Sequence, residues 1–140
     1  MIIEALMCLA LNVYHEARDQ PFIGQVAVAQ VVMNRVDDNR FPNTICEVVK
    51  QGPTYKYNPG FPVRHKCQFS WWCDGKSDKV KDEQSWMNAL EVADLVMNDR
   101  ISIDVVDKST HYHAYYVRPA WAKRKNKVAR IEDHIFYNWN

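Results

Sequence analysis

At 140 residues the chain is the size of one ordinary domain, and 47% apolar against 25% charged residues is a globular composition that excludes a disordered chain. The net charge of +1 supplies no whole-molecule field for holding a nucleic acid. The apolar start MIIEALMCLALNVY carries Glu4 where an export signal carries basic residues, and it is too short to span a bilayer. The expectation is therefore a monomer made in the cytoplasm without a signal peptide and without stable membrane insertion.

In the first segment, Ile3, Leu6, Met7, Ala10, Tyr14 and Ala17 recur at spacings of three and four. This is the pattern of a helix with one core-facing stripe, ending near Arg18. Asp19, Gln20 and Pro21 read as a turn, with Asp19 placed to cap a second helix from Pro21 to Val36. Its centre, VAVAQVVM, is apolar on nearly every side and marks the central core helix. Thr44 and Glu47 have capping-box spacing, so a short third helix runs to about Lys50. Residues 51–76 mix Pro and Gly with Tyr55, Tyr57, Phe61, Phe69, Trp71 and Trp72, which predicts a long aromatic loop of the kind that carries function.

A fourth helix, about Asp82 to Asn98, sets Trp86, Ala89, Leu90 and Ala93 on one side. The last forty residues break into β-rich pieces, Ile101 to Val106, Thr110 to Val117 and Ile135 to Tyr137. The basic run from Lys123 to Lys127 reads as a solvated loop. The four cysteines, in a chain with no export signal, read mostly as buried small apolar residues; Cys67 and Cys73 are close enough in sequence to form a loop bridge.

One polar cluster stands out at the end of the first helix: His15, Glu16, Arg18 and Asp19. Successive residues on a helix point about 100° apart, so the four side chains cannot share one site. Glu16 shares its side with Ala5, Leu9 and Val13, and His15 turns toward water. A carboxyl set against apolar neighbours resists ionising; moving its pKa from about 4.3 to about 6.5 takes roughly 3 kcal/mol of lost solvation and yields a useful general acid. The competing structural role is an ion pair with Arg18 or Arg35. His15, Glu16 and Asp19 also imitate the zinc-protease pattern HExxH with aspartate last, but His65, Cys67, Cys73, His111 and His113 match no common zinc spacing.

The stretches Tyr14 to Arg18 (YHEAR), Gly24 to Val36 (GQVAVAQVVMNRV), Phe41-Pro42 and Cys67 to Trp71 (CQFSW) resemble the SleB/CwlJ cell-wall hydrolase family in order and spacing. Thr110 to Ala114 (THYHA), Pro119 to Trp121 and His134 to Tyr137 resemble that family's closing segments, so the likeness runs from about Ala5 to Tyr137. The resemblance implies a single α+β, lysozyme-like catalytic domain over residues 1–140, mainly helical, with a small antiparallel β-sheet in the C-terminal third and a groove between sheet and aromatic loop. It implies cleavage of peptidoglycan glycan strands at the bond from N-acetylmuramic acid to N-acetylglucosamine, and places the catalytic role on Glu16. Hydrolysis normally needs a second carboxylate about 5 to 9.5 Å away. None is evident in the sequence, which favours the lytic transglycosylase route to 1,6-anhydro ends. Sugar rings need aromatic platforms and hydrogen-bonding edges, and Gln68, Ser70, Trp71, His111, Tyr112 and Trp121 are the residues expected to line the cleft. The expected partner is the glycan strand itself, with neither metal nor cofactor. A phage endolysin freed by a holin-type release partner, acting on the wall after release, fits the missing export signal; the other origin the resemblance allows is a spore-type enzyme placed during assembly of its coat. The rival readings are a zinc-dependent hydrolase built on His15, Glu16 and Asp19, and a glycan-binding domain without activity.

Overall fold

The computed structural model describes residues 2–139. Four helices come first: α1 (Ile2–Ala17), α2 (Phe22–Asp37), α3 (Ile45–Val49) and, after the aromatic loop, α4 (Glu83–Met97). The loop holds a short hairpin, β1 (Thr54–Tyr55) with β2 (Asn58–Pro62), and a 3-10 turn at Ser70–Cys73. Strand β3 (His111–Ala114), a second 3-10 turn at Ala120–Arg124, β4 (Asn126–Ile131) and β5 (His134–Asn138) complete the chain. β5 lies between β3 and β4, and both pairings are antiparallel. The expected α+β architecture, helices first and a small sheet in the last third, is what the chain adopts.

The core forms where α1, α2, α3 and α4 meet, around Leu9, Val13, Val26, Val32, Val48, Val49 and Val92. A second cluster joins the sheet to the helices through Ala17, Ala27, Val28, Val31, Val106 and Phe136. Alanine at positions 17 and 27 lets the sheet approach closely. Gln20 then ties the β4–β5 turn to the end of α1, donating from Nε2 to Asp133 Oδ2 at 3.0 Å and accepting from the Asp133 N–H at 3.3 Å.

Several expectations change. The first turns of α1 stand in solvent, with Ile2 and Ile3 exposed, and the buried face is centred on Leu9, Val13 and Ala17. Asp19 does not cap α2; Pro21 occupies that position without a side-chain hydrogen bond. The α3 cap is as expected, Thr44 Oγ1 accepting from the Glu47 N–H. Residues 101–106 form no strand, because α2 satisfies their backbone instead: Gln30 donates to the Ile103 carbonyl and accepts from the Val105 N–H, both at 2.9 Å. The basic run is not a free loop. It ends the second 3-10 turn and starts β4, with the Lys125 ammonium 3.9 Å from the Trp139 ring centre.

Cys67 and Cys73 form the loop bridge their spacing allowed, and the reading of the other cysteines as buried apolar residues is corrected, since Cys8 is bonded to Cys46. Cys8 lies in α1 and Cys46 in α3, elements that pack side by side and bring the two Cα atoms to 5.3 Å, within the range a bridge requires. Position in sequence did not reveal this, because the contact is made only when α3 folds back on α1. A cross-link spanning 38 residues constrains the unfolded chain more than one spanning 6, by the loop-entropy relation about 4 against about 2 kcal/mol. Replacing Cys8 and Cys46 together by serine is therefore expected to lower unfolding free energy in urea more than replacing Cys67 and Cys73; equal losses would refute that ordering.

Candidate active site

The YHEAR cluster resolves into separate tasks. Tyr14 is buried, and its hydroxyl accepts from the Lys81 and Asp82 N–H groups at 3.0 and 3.1 Å, pinning the segment that leads into α4. The His15 ring stacks on Trp71 with centroids 4.5 Å apart, and its Nε2 lies 3.1 Å from the Asp78 carbonyl. A carbonyl only accepts, so Nε2 carries the proton, and burial holds this imidazole below its ordinary pKa. Arg18 folds back over the Tyr14 ring and donates to the Tyr14 carbonyl. Only Glu16 turns toward the sheet.

There its carboxyl accepts a hydrogen bond at Oε1 from the Tyr112 hydroxyl of β3. Burial drives the Glu16 pKa upward; the Tyr112 hydrogen bond and the Arg35 charge oppose that rise without cancelling it. Tyr112 is itself pushed well above its usual range by burial and by the neighbouring carboxyl, so it remains a donor. The residue as a whole is half-buried, and burial of the carboxyl is the largest cause of its raised pKa.

Behind this pair lies Arg35 of α2, 4% exposed. Its guanidinium carbon is 4.9 Å from the Phe41 ring centre and 5.0 Å from that of Phe69, and Nε donates to the Thr110 carbonyl at 2.7 Å. Asn34 donates to the Ser109 carbonyl at 2.9 Å. Asn34 and Arg35, adjacent polar residues near the end of a largely apolar helix, thus fix the entry to β3. The polar pair in sequence was the available signal; its target on β3, two residues before Tyr112, was not.

The candidate cleft residues divide. Tyr112 meets Glu16. Strand alternation sends His111 and His113 to the other face of β3, where they pack with Trp121 and Tyr137. His113 donates from Nδ1 to the Ala114 carbonyl and accepts at Nε2 from the Tyr137 hydroxyl, at 2.7 and 2.8 Å. His111 also touches Phe41 and Trp139, and burial with the nearby Arg35 charge lowers its pKa to about 4. Of the residues expected to line the cleft, Tyr112 lies beside Glu16, whereas His111 and Trp121 belong to an aromatic layer on the opposite side of the strand. Trp71 is 6% exposed, and its indole N–H donates to Asn12 Oδ1 at 2.9 Å inside the core.

Gln68 and Ser70 are exposed on the aromatic loop, and the Gln68 N–H donates to the Gln51 carbonyl. A cavity of about 380 Å³ opens on the neighbouring face of α1, bordered by His15, Trp71, Arg18, Asp74 and Asp78; its α1 wall is His15, not Glu16. As for the zinc reading, Cys67 and Cys73 are consumed by their own bond, and among the described residues no three His, Cys, Asp or Glu side chains gather to hold a metal ion.

The profile of the Cell Wall Hydrolase family matches residues 19–137, starting just beyond Glu16, and the chain belongs to that family. It is 49% identical over 133 residues to the spore cortex-lytic enzyme of Bacillus subtilis (strain 168), covering 91% of this chain and 35% of that protein. To the spore cortex-lytic enzyme of Oceanobacillus iheyensis it is 46% identical over 136 residues, covering 94% and 40%. This chain thus spans roughly a third of the length of these relatives. Among solved structures, the catalytic domain of the germination-specific lytic transglycosylase SleB from Bacillus anthracis superposes with a TM-score of 0.67 at 27% identity, over 96% of this chain and 93% of that one.

The raised Glu16 pKa has a consequence for stability. Below the ordinary carboxylate range both folded and unfolded chains hold the proton; above it the unfolded chain ionises first, so folding loses stability until pH passes the raised folded value. Glu16→Gln removes this loss while keeping an acceptor for Tyr112. The Tm of Glu16→Gln is expected to rise relative to the unsubstituted protein as pH increases from about 4 toward neutrality; a gap that stays constant with pH would refute the raised pKa.

Proposed function

We propose that this domain cleaves peptidoglycan glycan strands between N-acetylmuramic acid and N-acetylglucosamine, as a lytic transglycosylase with Glu16 as the single acid and base. The observation that carries this reading is a half-buried carboxyl whose pKa burial has raised and which a phenol hydroxyl orients. Protonated Glu16 gives its proton to the glycosidic oxygen as the C1–O bond breaks, through an oxocarbenium-like transition state. The resulting carboxylate takes the proton of the muramic 6-hydroxyl as that oxygen bonds to C1. One bond breaks, one forms, and the proton returns to Glu16 without any water.

Two further facts support the reading. The groups acting on Glu16 are a phenol and a guanidinium rather than the second carboxylate that hydrolysis by either stereochemical route normally employs. The structural relative from Bacillus anthracis is a germination-specific lytic transglycosylase. The two disulfides suit a site of action outside the reducing cytoplasm, as expected of an enzyme that reaches the wall after release. Release by a membrane-lesion partner in a phage lysis system belongs to the same proposal, and host fractionation without that partner should leave the protein inside.

Incubation with purified sacculi, followed by mass spectrometry, should yield muropeptides about 18 mass units lighter than hydrolysed ends, one water per cleavage. Glu16→Gln should reduce release by about 10²-fold or more while leaving sedimentation with sacculi intact. Activity that vanishes with EDTA and returns with zinc would favour the metal-dependent alternative, and binding without any cleavage would favour a glycan-binding module.

A further inference from the structure

Arg35 is a buried cation with no anion bonded to it. Beyond its Nε bond to the Thr110 carbonyl, its Nη1 is buried without a hydrogen-bond partner, and among the described residues the ion pairs are Arg40 with Asp38 and Arg100 with Asp94. An unsatisfied buried donor is costly, more so when charged, and the single bond to Thr110 leaves that cost standing at Nη1. Phe41 and Phe69 enclose it on the ring faces, and the nearby groups that feel its charge are Glu16 and Tyr112.

We propose that Arg35 is a positioning residue for glycan cleavage: it is the standing counter-charge for a Glu16 carboxylate that exists only after the proton has been handed to the sugar. The proposal rests on the reading of Glu16 as the acid. Burial raises the Glu16 pKa and so favours its neutral form, and no ion pair joins it to Arg35 among the described residues. When the proton leaves, a negative charge appears in a site with little water to solvate it. Tyr112 supplies one hydrogen bond and Arg35 the opposite charge, both already in place, so no reorganisation is needed at that moment. The same guanidinium holds the Thr110 carbonyl at the start of β3, so the counter-charge and the strand carrying Tyr112 are fixed by one group.

The groups facing this centre are few. Tyr112 of β3 and Arg35 of α2 face Glu16, and His111 of β3 faces Arg35 as a neutral imidazole, its pKa about 4. No charged group of α3 or α4 is among those that act on Glu16. Tyr112 and Arg35 both favour the Glu16 carboxylate, so losing Arg35 while Tyr112 stays makes that carboxylate harder to form.

The test combines NMR with kinetics. In the unsubstituted protein, the Arg35 Nη resonances should shift with the same midpoint as the Glu16 carboxyl carbon; an Arg35 signal that does not move while Glu16 titrates would overturn the proposal. In Arg35→Met the Glu16 midpoint should rise by about 1–3 pH units, the high-pH limb of kcat/KM should move with it, and kcat should fall about tenfold or more with KM little changed. Arg35→Lys, which keeps the charge, should hold the Glu16 midpoint near its original value. A purely structural Arg35 would lower Tm in both variants and leave the midpoint where it was. The NMR readings need no glycan, so they stand or fall separately from the cleavage assay: an unsubstituted protein that cleaves nothing sinks the enzymatic reading, while an uncoupled Arg35 sinks only this one.

Discussion

The structure depends on β3 crossing the end of α1 so that the Tyr112 hydroxyl reaches the Glu16 carboxyl. A glutamate at a helix end is ordinarily a solvated group. Here the sheet covers it, and the covering strand supplies one donor from a group that is itself too buried to ionise. The result is a carboxyl whose charged form burial disfavours and whose pKa is raised above the ordinary carboxylate range.

Polar side chains on a core helix make that crossing possible. Gln30, Asn34 and Arg35 lie along one side of α2 and satisfy backbone groups of Ile103, Val105, Ser109 and Thr110. A chain lying on a helix has no strand partner, and its buried peptide groups would otherwise be orphaned. The side-chain amides and guanidinium take that place, so the approach to β3 is guided by helix geometry instead of by a sheet. Below it, Ala17 and Ala27 leave the room that Phe136 and Val106 fill.

The two faces of β3 then separate two kinds of residue that adjoin in sequence. Tyr112 points to the carboxyl, while His111 and His113 join Trp121, Tyr137 and Phe41 in a layer of rings on the far side. That layer stiffens the outer surface of the sheet through ring contacts and the bond from Tyr137 to His113. Gln68 and Ser70 of the aromatic loop stay exposed, apart from this layer.

Much of this was legible in the order of residues. Helical spacing marked α1, α2 and α4, the Thr44–Glu47 cap marked α3, and the wheel separated Glu16 from His15, because each of these depends on neighbours within a turn or two. Sequence could also show that Asn34 and Arg35 were polar exceptions on an apolar helix. It could not say which backbone they would serve, that Cys8 meets Cys46, that Gln30 would replace a strand at 101–106, or that Trp71 would hydrogen-bond Asn12 in the core. Those outcomes join residues dozens of positions apart, and only the packing of one element against another brings such groups within reach.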